Sequence, residues 1–272
     1  MRHRTHHHPA GQSGSVSSRV REAGDTERKP GDPPGSWGIE DGPVPDRVVL
    51  LHGLAAGRRS MRVIQRALLA QGFQVLNPGY PSLRSPLSEL VELLHQKLAD
   101  EKQVAVRTHF VTYSMGGLLA RAYLARYRPS GLGRVVMIAP PNRGSELADL
   151  VCRIRLARWV LGPSARELGT ARSPETTALL SDIAYPLGII AGNRFLDPLG
   201  WMLIPGANDG RVSVRSTMVP GMTGHAVIPA SHHGIVRNRD AVDHVVSFLT
   251  RGEFPSLRAR GSRCRAASNR DP

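Results

Sequence analysis

Lysine, cysteine and aromatic residues are all scarce in this sequence, and no long apolar run interrupts it. Three lysines stand among 36 basic residues, the rest being arginine. Aromatic residues make up 5% of the chain, too few for a surface that stacks nucleic-acid bases. The two cysteines, Cys152 and Cys264, fit no metal-ligand spacing, and one falls in a tail. Neither a disulfide framework nor a metal site is therefore expected. The start of the chain is charged and carries His6, His7 and His8, but no apolar segment follows, so no secretory signal is expected. No stretch approaches the ~20 apolar residues of a membrane-spanning helix. Together these absences lead to the expectation of a soluble, cytoplasmic protein.

The formal net charge is +14 over 272 residues. Residues 47–250 hold 24 basic and 13 acidic residues, so the excess is not confined to one basic arm. It is scattered, without a dense block, as solvated charge on an arginine-rich chain would be. A nucleic-acid partner is not expected.

Composition divides the chain into three. Residues 1–45, rich in Gly, Ser, Pro and charge, read as a disordered tail. Residues 255–272 carry Arg258, Arg260, Arg263, Arg265 and Arg270 with little to bury. They read as a basic tail able to touch an anionic membrane surface weakly. The intervening 46–254 read as one domain. A buried strand is expected at Arg47–Leu51, a short apolar run rich in β-branched residues, and further strands at Phe73–Leu76, His109–Tyr113, Arg134–Ala139, Pro186–Ala191 and Ala226–Pro229. Apolar residues at helical spacing predict helices over 59–71, from Ser85-Pro86 to about Glu101, over 115–127, and around 242–249. Strands separated by helices imply an α/β fold: a mostly parallel sheet flanked by helices on both faces.

Four segments carry chemistry. Thr112-Tyr113-Ser114-Met115-Gly116-Gly117 joins a strand to a helix. A serine on such a turn stands exposed above the sheet, with small residues around it and the positive end of the helix dipole behind it. A favoured helix-cap serine would give the same local pattern. Earlier, His52-Gly53-Leu54 ends the first strand, where a backbone N–H of Leu54 together with that of Met115 would make a two-donor oxyanion hole. A serine nucleophile needs a histidine base, and the base needs a carboxylate. Carboxylate candidates after the fifth strand are Asp209, in Asn208-Asp209-Gly210, and Asp197. Histidine candidates before the last helix are the neighbours His232 and His233.

The serine turn resembles the G-x-S-x-G nucleophile elbow of α/β-hydrolases, with Thr112 in place of the first glycine. N-D-G-x-V followed by Ser213 and Ser216 is similar to the acid loop of bacterial lipases, and this implies Asp209 rather than Asp197. A histidine followed at the third position by an aliphatic residue, here Ile235, implies His232 rather than His233. Pro140 to Ser145 and the ending VVSFLTRGEF also resemble lipase and esterase segments. The resemblance implies a near-minimal α/β-hydrolase over 46–254 with a small helical cap inserted at about 145–185. It implies a serine hydrolase that cleaves carboxylic esters of small-molecule or lipid type through Ser114, His232 and Asp209, without cofactor or metal. The same parts serve a thioesterase or acyltransferase, and a non-catalytic binding module on this scaffold is the alternative of another class. The cap carries Leu150, Val151, Ile154, Leu156, Trp159, Val160 and Leu161 among Arg153, Arg155 and Arg158. That pattern fits either a lid over an acyl pocket or a helix packed on the core. Trp201, Met202 and Leu203 are expected to line the same pocket.

Overall fold

Six short apolar strands make one sheet, and all its pairings are parallel: β1 Arg47–Leu51, β2 Gln74–Leu76, β3 Thr108–Tyr113, β4 Leu132–Ile138, β5 Leu187–Gly192 and β6 Gly224–Ile228, in the order β2-β1-β3-β4-β5-β6. The structure is a computed structural model that describes residues 44–101, 105–145, 147–149, 164, 167–180, 183–195 and 204–255. The tails at 1–43 and 256–272, both cysteines, Asp197, Trp201 and much of the expected cap lie outside the described residues. The sheet that sequence reading expects to be mostly parallel is wholly parallel among the described strands. The described helices are α1 Arg62–Leu69, α2 Leu87–Ala99, α3 Met115–Tyr127, α4 Pro174–Leu179, α5 Val214–Thr217 and α6 Arg239–Arg251.

The strands read as continuous apolar runs because both faces of the sheet are covered. Alternate residues divide between two cores. Val49, Leu51, Phe110, Val135, Met137 and Ile189 face α2 and α3, which contribute Leu87, Leu90, Val91, Leu94, Leu118 and Leu119. Val48, Leu50, Val111, Val136, Ile138 and Ile190 face the other way, toward Ile64 and Leu68 of α1 and Ala241, Val245 and Phe248 of α6. Helix α3 runs across the middle and buries every residue from Met115 to Leu124. None of the helices among the described residues is long and apolar enough to cross a membrane.

The C-terminal ends of β1, β3, β4 and β5 point to one edge of the sheet, since the strands are parallel. The His52-Gly53-Leu54 turn, Ser114, the Pro140-Pro141 segment and the Asn208-Asp209-Gly210 loop therefore collect there. Open α/β sheets bind ligands at that edge.

Candidate active site

Ser114 leaves β3 with φ 52° and ψ −123°, a backbone conformation that costs a residue with a side chain about 1–3 kcal/mol. The turn is held by the Ser114 N–H donating to the Ile138 carbonyl at 2.8 Å and the Gly117 N–H to the Ser114 carbonyl at 2.9 Å. Gly116 must lack a side chain, because a Cβ there would sit 2.4 Å from the Leu51 carbonyl oxygen. Thr112, in the place of the usual first glycine, is fully buried. It fits because Gly117 presents no side chain: even an added Cβ on Gly117 would come within 3.4 Å of the Thr112 hydroxyl.

His232 lies between Asp209 and Ser114. Its Nδ1–H donates to Asp209 Oδ2 at 2.7 Å, and its Nε2 accepts from Ser114 Oγ at 3.0 Å. All three side chains are buried. The other carboxylate oxygen of Asp209 accepts from the Arg211 and Val212 N–H groups at 2.9 and 2.8 Å. The carboxylate is thus fully bonded and has one orientation. Asn208 shapes the loop beneath it, accepting from the Gly210 N–H at 2.9 Å and donating to the Ile204 and Gly206 carbonyls. The His232 N–H also donates to the Asp209 carbonyl at 2.8 Å, so the two loops are joined through backbone as well as side chains. His233 is exposed. Its ring stands edge-on to that of His232, 5.8 Å away, and it bonds to neither Ser114 nor Asp209. Burial and the neighbouring charges of His232 and Arg211 hold its pKa below the usual histidine range.

The His52-Gly53-Leu54 turn comes close to the serine: a Cβ on Gly53 would lie 3.1 Å from Ser114 Cβ. His52 folds its ring onto its own turn, Nδ1–H donating to the Gly53 carbonyl at 2.9 Å. The ring stacks on Tyr80 with centroids 4.0 Å apart, and the Tyr80 hydroxyl donates to the His52 carbonyl. Burial lowers the His52 pKa, so the ring is neutral. The Ala55 N–H is taken by Ser82 Oγ at 3.1 Å. The N–H groups of Leu54 and of Met115, the first residue of α3, have no acceptor among the described residues.

A cavity of about 360 Å³ opens over Ser114 and His232, walled by Leu54, Leu147, Ala148, Leu168 and Val212. Leu147, Ala148 and Leu168 come from the expected cap, so its described part forms a wall of the cavity. The same segment reaches back to the domain through Glu167, which accepts the Leu87 N–H at the start of α2 at 2.8 Å. Arg172 donates to the Asn142 and Glu167 carbonyls at 2.7 and 3.3 Å and also to the Pro141 carbonyl. Burial and the nearby Arg121 lower the Arg172 pKa to about 10. Arg121, buried on α3, donates to Asn142 Oδ1 and the Leu180 carbonyl. The two guanidinium groups thus fasten the turn after β4.

Sequence reading missed several supports of the site. The Tyr113 hydroxyl donates to the His232 carbonyl at 3.0 Å. Gly192 admits the acid loop, since a Cβ there would be 2.8 Å from Asp209 Cβ. Ser145 Oγ donates to the Arg211 carbonyl at 2.7 Å. The Gly-Ser segment could have signalled the last of these. Nothing local marks the other two.

The fold is that of the α/β-hydrolases, and the chain is similar to lipases and esterases. Residues 46–166 match the alpha/beta hydrolase fold family. Over 143 residues the chain is 31% identical to a triacylglycerol lipase of Pseudomonas fragi, an alignment covering 50% of this chain and 47% of that one. The chain thus spans about half the length of this curated relative. Among solved structures, the mature form of a Bacillus licheniformis lipase superposes with a TM-score of 0.61 at 17% identity, over 77% of this chain and 92% of the other. A Legionella pneumophila phospholipase gives 0.60 at 19% identity, over 74% and 56%. A metagenomic carboxyl esterase gives 0.56 at 18% identity, over 76% and 71%. At such identities the structural likeness speaks for the fold.

Proposed function

We propose that the chain hydrolyses carboxylic esters through an acyl-enzyme on Ser114. The observation that carries this reading is the position of His232, 2.7 Å from Asp209 and 3.0 Å from Ser114 Oγ. Ser114 Oγ attacks the ester carbonyl carbon while His232 Nε2 takes its proton. Asp209 holds the Nδ1–H tautomer and stabilises the imidazolium that forms. The carbonyl oxygen becomes an oxyanion and accepts from the Leu54 and Met115 N–H groups, which have no other acceptor among the described residues, with the positive end of the α3 dipole behind it. His232 then protonates the departing alkoxide, and the C–O bond breaks. Water, deprotonated by His232, attacks the acyl-enzyme; the free acid leaves and Ser114 recovers its proton. The aliphatic walls of the cavity favour an apolar acyl group.

A panel of p-nitrophenyl esters of rising acyl length tests the reading. Hydrolysis is expected, with a preference set by the cavity, and Asp209→Asn is expected to lower kcat by about 10³–10⁴-fold through the wrong histidine tautomer. Absence of hydrolysis across the panel in folded protein would overturn it.

A further inference from the structure

Leu54, Ala55 and Ala56 wall the apolar cavity over Ser114. Two residues further on, Arg58 begins a second cavity of opposite character. It measures about 380 Å³ and is lined by Arg58, Arg59, Arg62, Gln65 and Asn77. Arg58 and Arg59 belong to the 3₁₀ turn Arg58–Met61, and Arg62 opens α1. The three guanidinium groups are thus carried on consecutive turns. Asn77 immediately follows β2.

Three features of this cleft point to a ligand. Among the described residues, none of the three guanidinium groups has an ion-pair or hydrogen-bond partner. Two other surface arginines do find carboxylates, Arg107 with Asp46 and Arg126 with Glu92, whereas Arg194, Arg237 and Arg239 have no ion pair among the described residues but do not share one cleft. The sequence leaves the cleft no local counter-charge either. From Arg47 to Ser88 there are six arginines and neither aspartate nor glutamate. Finally, the floor is fixed in place. Asn77 Nδ2 donates to Gln65 Oε1 at 3.0 Å and to the Arg58 carbonyl at 3.1 Å, and this leaves Asn77 Oδ1 buried without a partner.

We propose that Arg58, Arg59 and Arg62 form a phosphate-binding subsite for a phosphate ester. The planar guanidinium forks match phosphate oxygens bidentately, and Asn77 braces the arginine turn by donating to the Arg58 carbonyl. The subsite adjoins the candidate active site. Ala56 and Arg58 are separated by one residue, so their Cα atoms are within about 7 Å, and Asn77 leaves the sheet at the same edge as Leu54. A phosphorylated amphiphile would set its headgroup on the arginines and its chain toward the apolar cavity. A soluble phosphate ester and the headgroup of an anionic phospholipid share this chemistry. On α1, Val63 next to Arg62 is 40% exposed, an apolar contact that suits the lipid source.

The inference goes beyond the hydrolytic reading and is tested by binding alone. Three full-length proteins are compared at one ionic strength: the wild type, a variant with Arg58→Gln, Arg59→Gln and Arg62→Gln, and a charge-matched control with Arg194→Gln, Arg237→Gln and Arg239→Gln. All six arginines are exposed, and thermal melting verifies that each protein is folded. One arm titrates glycerol 3-phosphate by calorimetry. The other measures co-sedimentation with phosphatidylcholine vesicles, with and without phosphatidic acid. The expected result is wild-type binding in at least one arm, weakened about tenfold or more by the cleft substitutions and less than about twofold by the control. Binding of glycerol 3-phosphate identifies a soluble ligand, and binding of phosphatidic acid vesicles alone identifies a lipid headgroup. The proposal is overturned if the wild type binds in neither arm, or if the two triple variants lose affinity equally.

Discussion

Gly116 approaches the Leu51 carbonyl so closely that a Cβ on it would lie 2.4 Å from that oxygen. The contact ties the serine turn directly to the end of β1. It therefore sets the spacing between Met115, which follows Ser114, and Leu54, the third residue after β1. Both candidate oxyanion donors depend on this approach. The atom in the way is main-chain oxygen in a central strand, which cannot rotate aside as a side chain would. Gly116→Ala is expected to cost about 3 kcal/mol or more of stability. Whatever folded protein remains should lose about 10²-fold in ester turnover as the turn is displaced. Thermal melting and turnover of the purified variant check both numbers.

Thr112 carries the one departure from the elbow pattern, and its hydroxyl is buried with no hydrogen-bond partner. An unsatisfied buried hydroxyl costs about 1–3 kcal/mol. Valine has nearly the same shape, keeps the β-branch that suits a central strand, and removes the polar atom. Thr112→Val is expected to raise stability by about 1 kcal/mol, a shift of roughly 2–4 °C in Tm for a domain of this size. A lower Tm would show that the hydroxyl is satisfied in solution.

Acid should weaken the fold before the carboxylates titrate, because of His109. Its Nδ1 accepts the Arg134 N–H at 2.8 Å and its Nε2–H donates to Asp46 at 3.2 Å. Burial lowers the His109 pKa, and the charges of Arg107 and Arg134 add to this against the pull of Asp46. The folded chain thus resists a proton that the unfolded chain takes up at about pH 6.5. Below that value the unfolded state binds more protons, so stability falls as pH drops from about 7 toward the lowered folded pKa. His52 and His225, also lowered by burial, contribute with the same sign. Asp46 adds a further loss in stronger acid: burial raises its carboxyl, but bonds from Arg107 and His109 more than reverse this and leave its pKa lowered. Melting temperatures measured from pH 7.5 to pH 5 should fall steadily; a flat profile would contradict the neutral, buried state of His109.

The strands were legible in the sequence because a sheet covered on both faces demands continuous apolar runs. RVVLL and PLGIIA announce themselves in this way. The start of β6 was not, because Gly224 and His225 carry no apolar signal; they are strand residues through pairing with Gly188 and Ile189. The predicted helix over 59–71 divides into a 3₁₀ turn and α1. Helix α5, expected only as loop, begins where Ser213 Oγ accepts the Ser216 N–H. At the site, local motifs indicated Ser114, Leu54, Met115 and Asp209, and the spacing to Ile235 pointed to His232 over His233. That choice rested on pattern, because the main-chain bond from His232 to the Asp209 carbonyl has no local signature. The contacts of Tyr113 with His232 and of Gly192 with Asp209 join distant parts of the chain and leave no local trace.

The most direct test is the reaction of the folded protein with a fluorophosphonate, followed by mapping of the modified residue by mass spectrometry. The account predicts one covalent adduct, on Ser114, with no labelling of Ser114→Ala and labelling slowed by several orders of magnitude in His232→Ala. An unmodified Ser114 in folded wild-type protein, or ester hydrolysis that survives in Ser114→Ala, would contradict it.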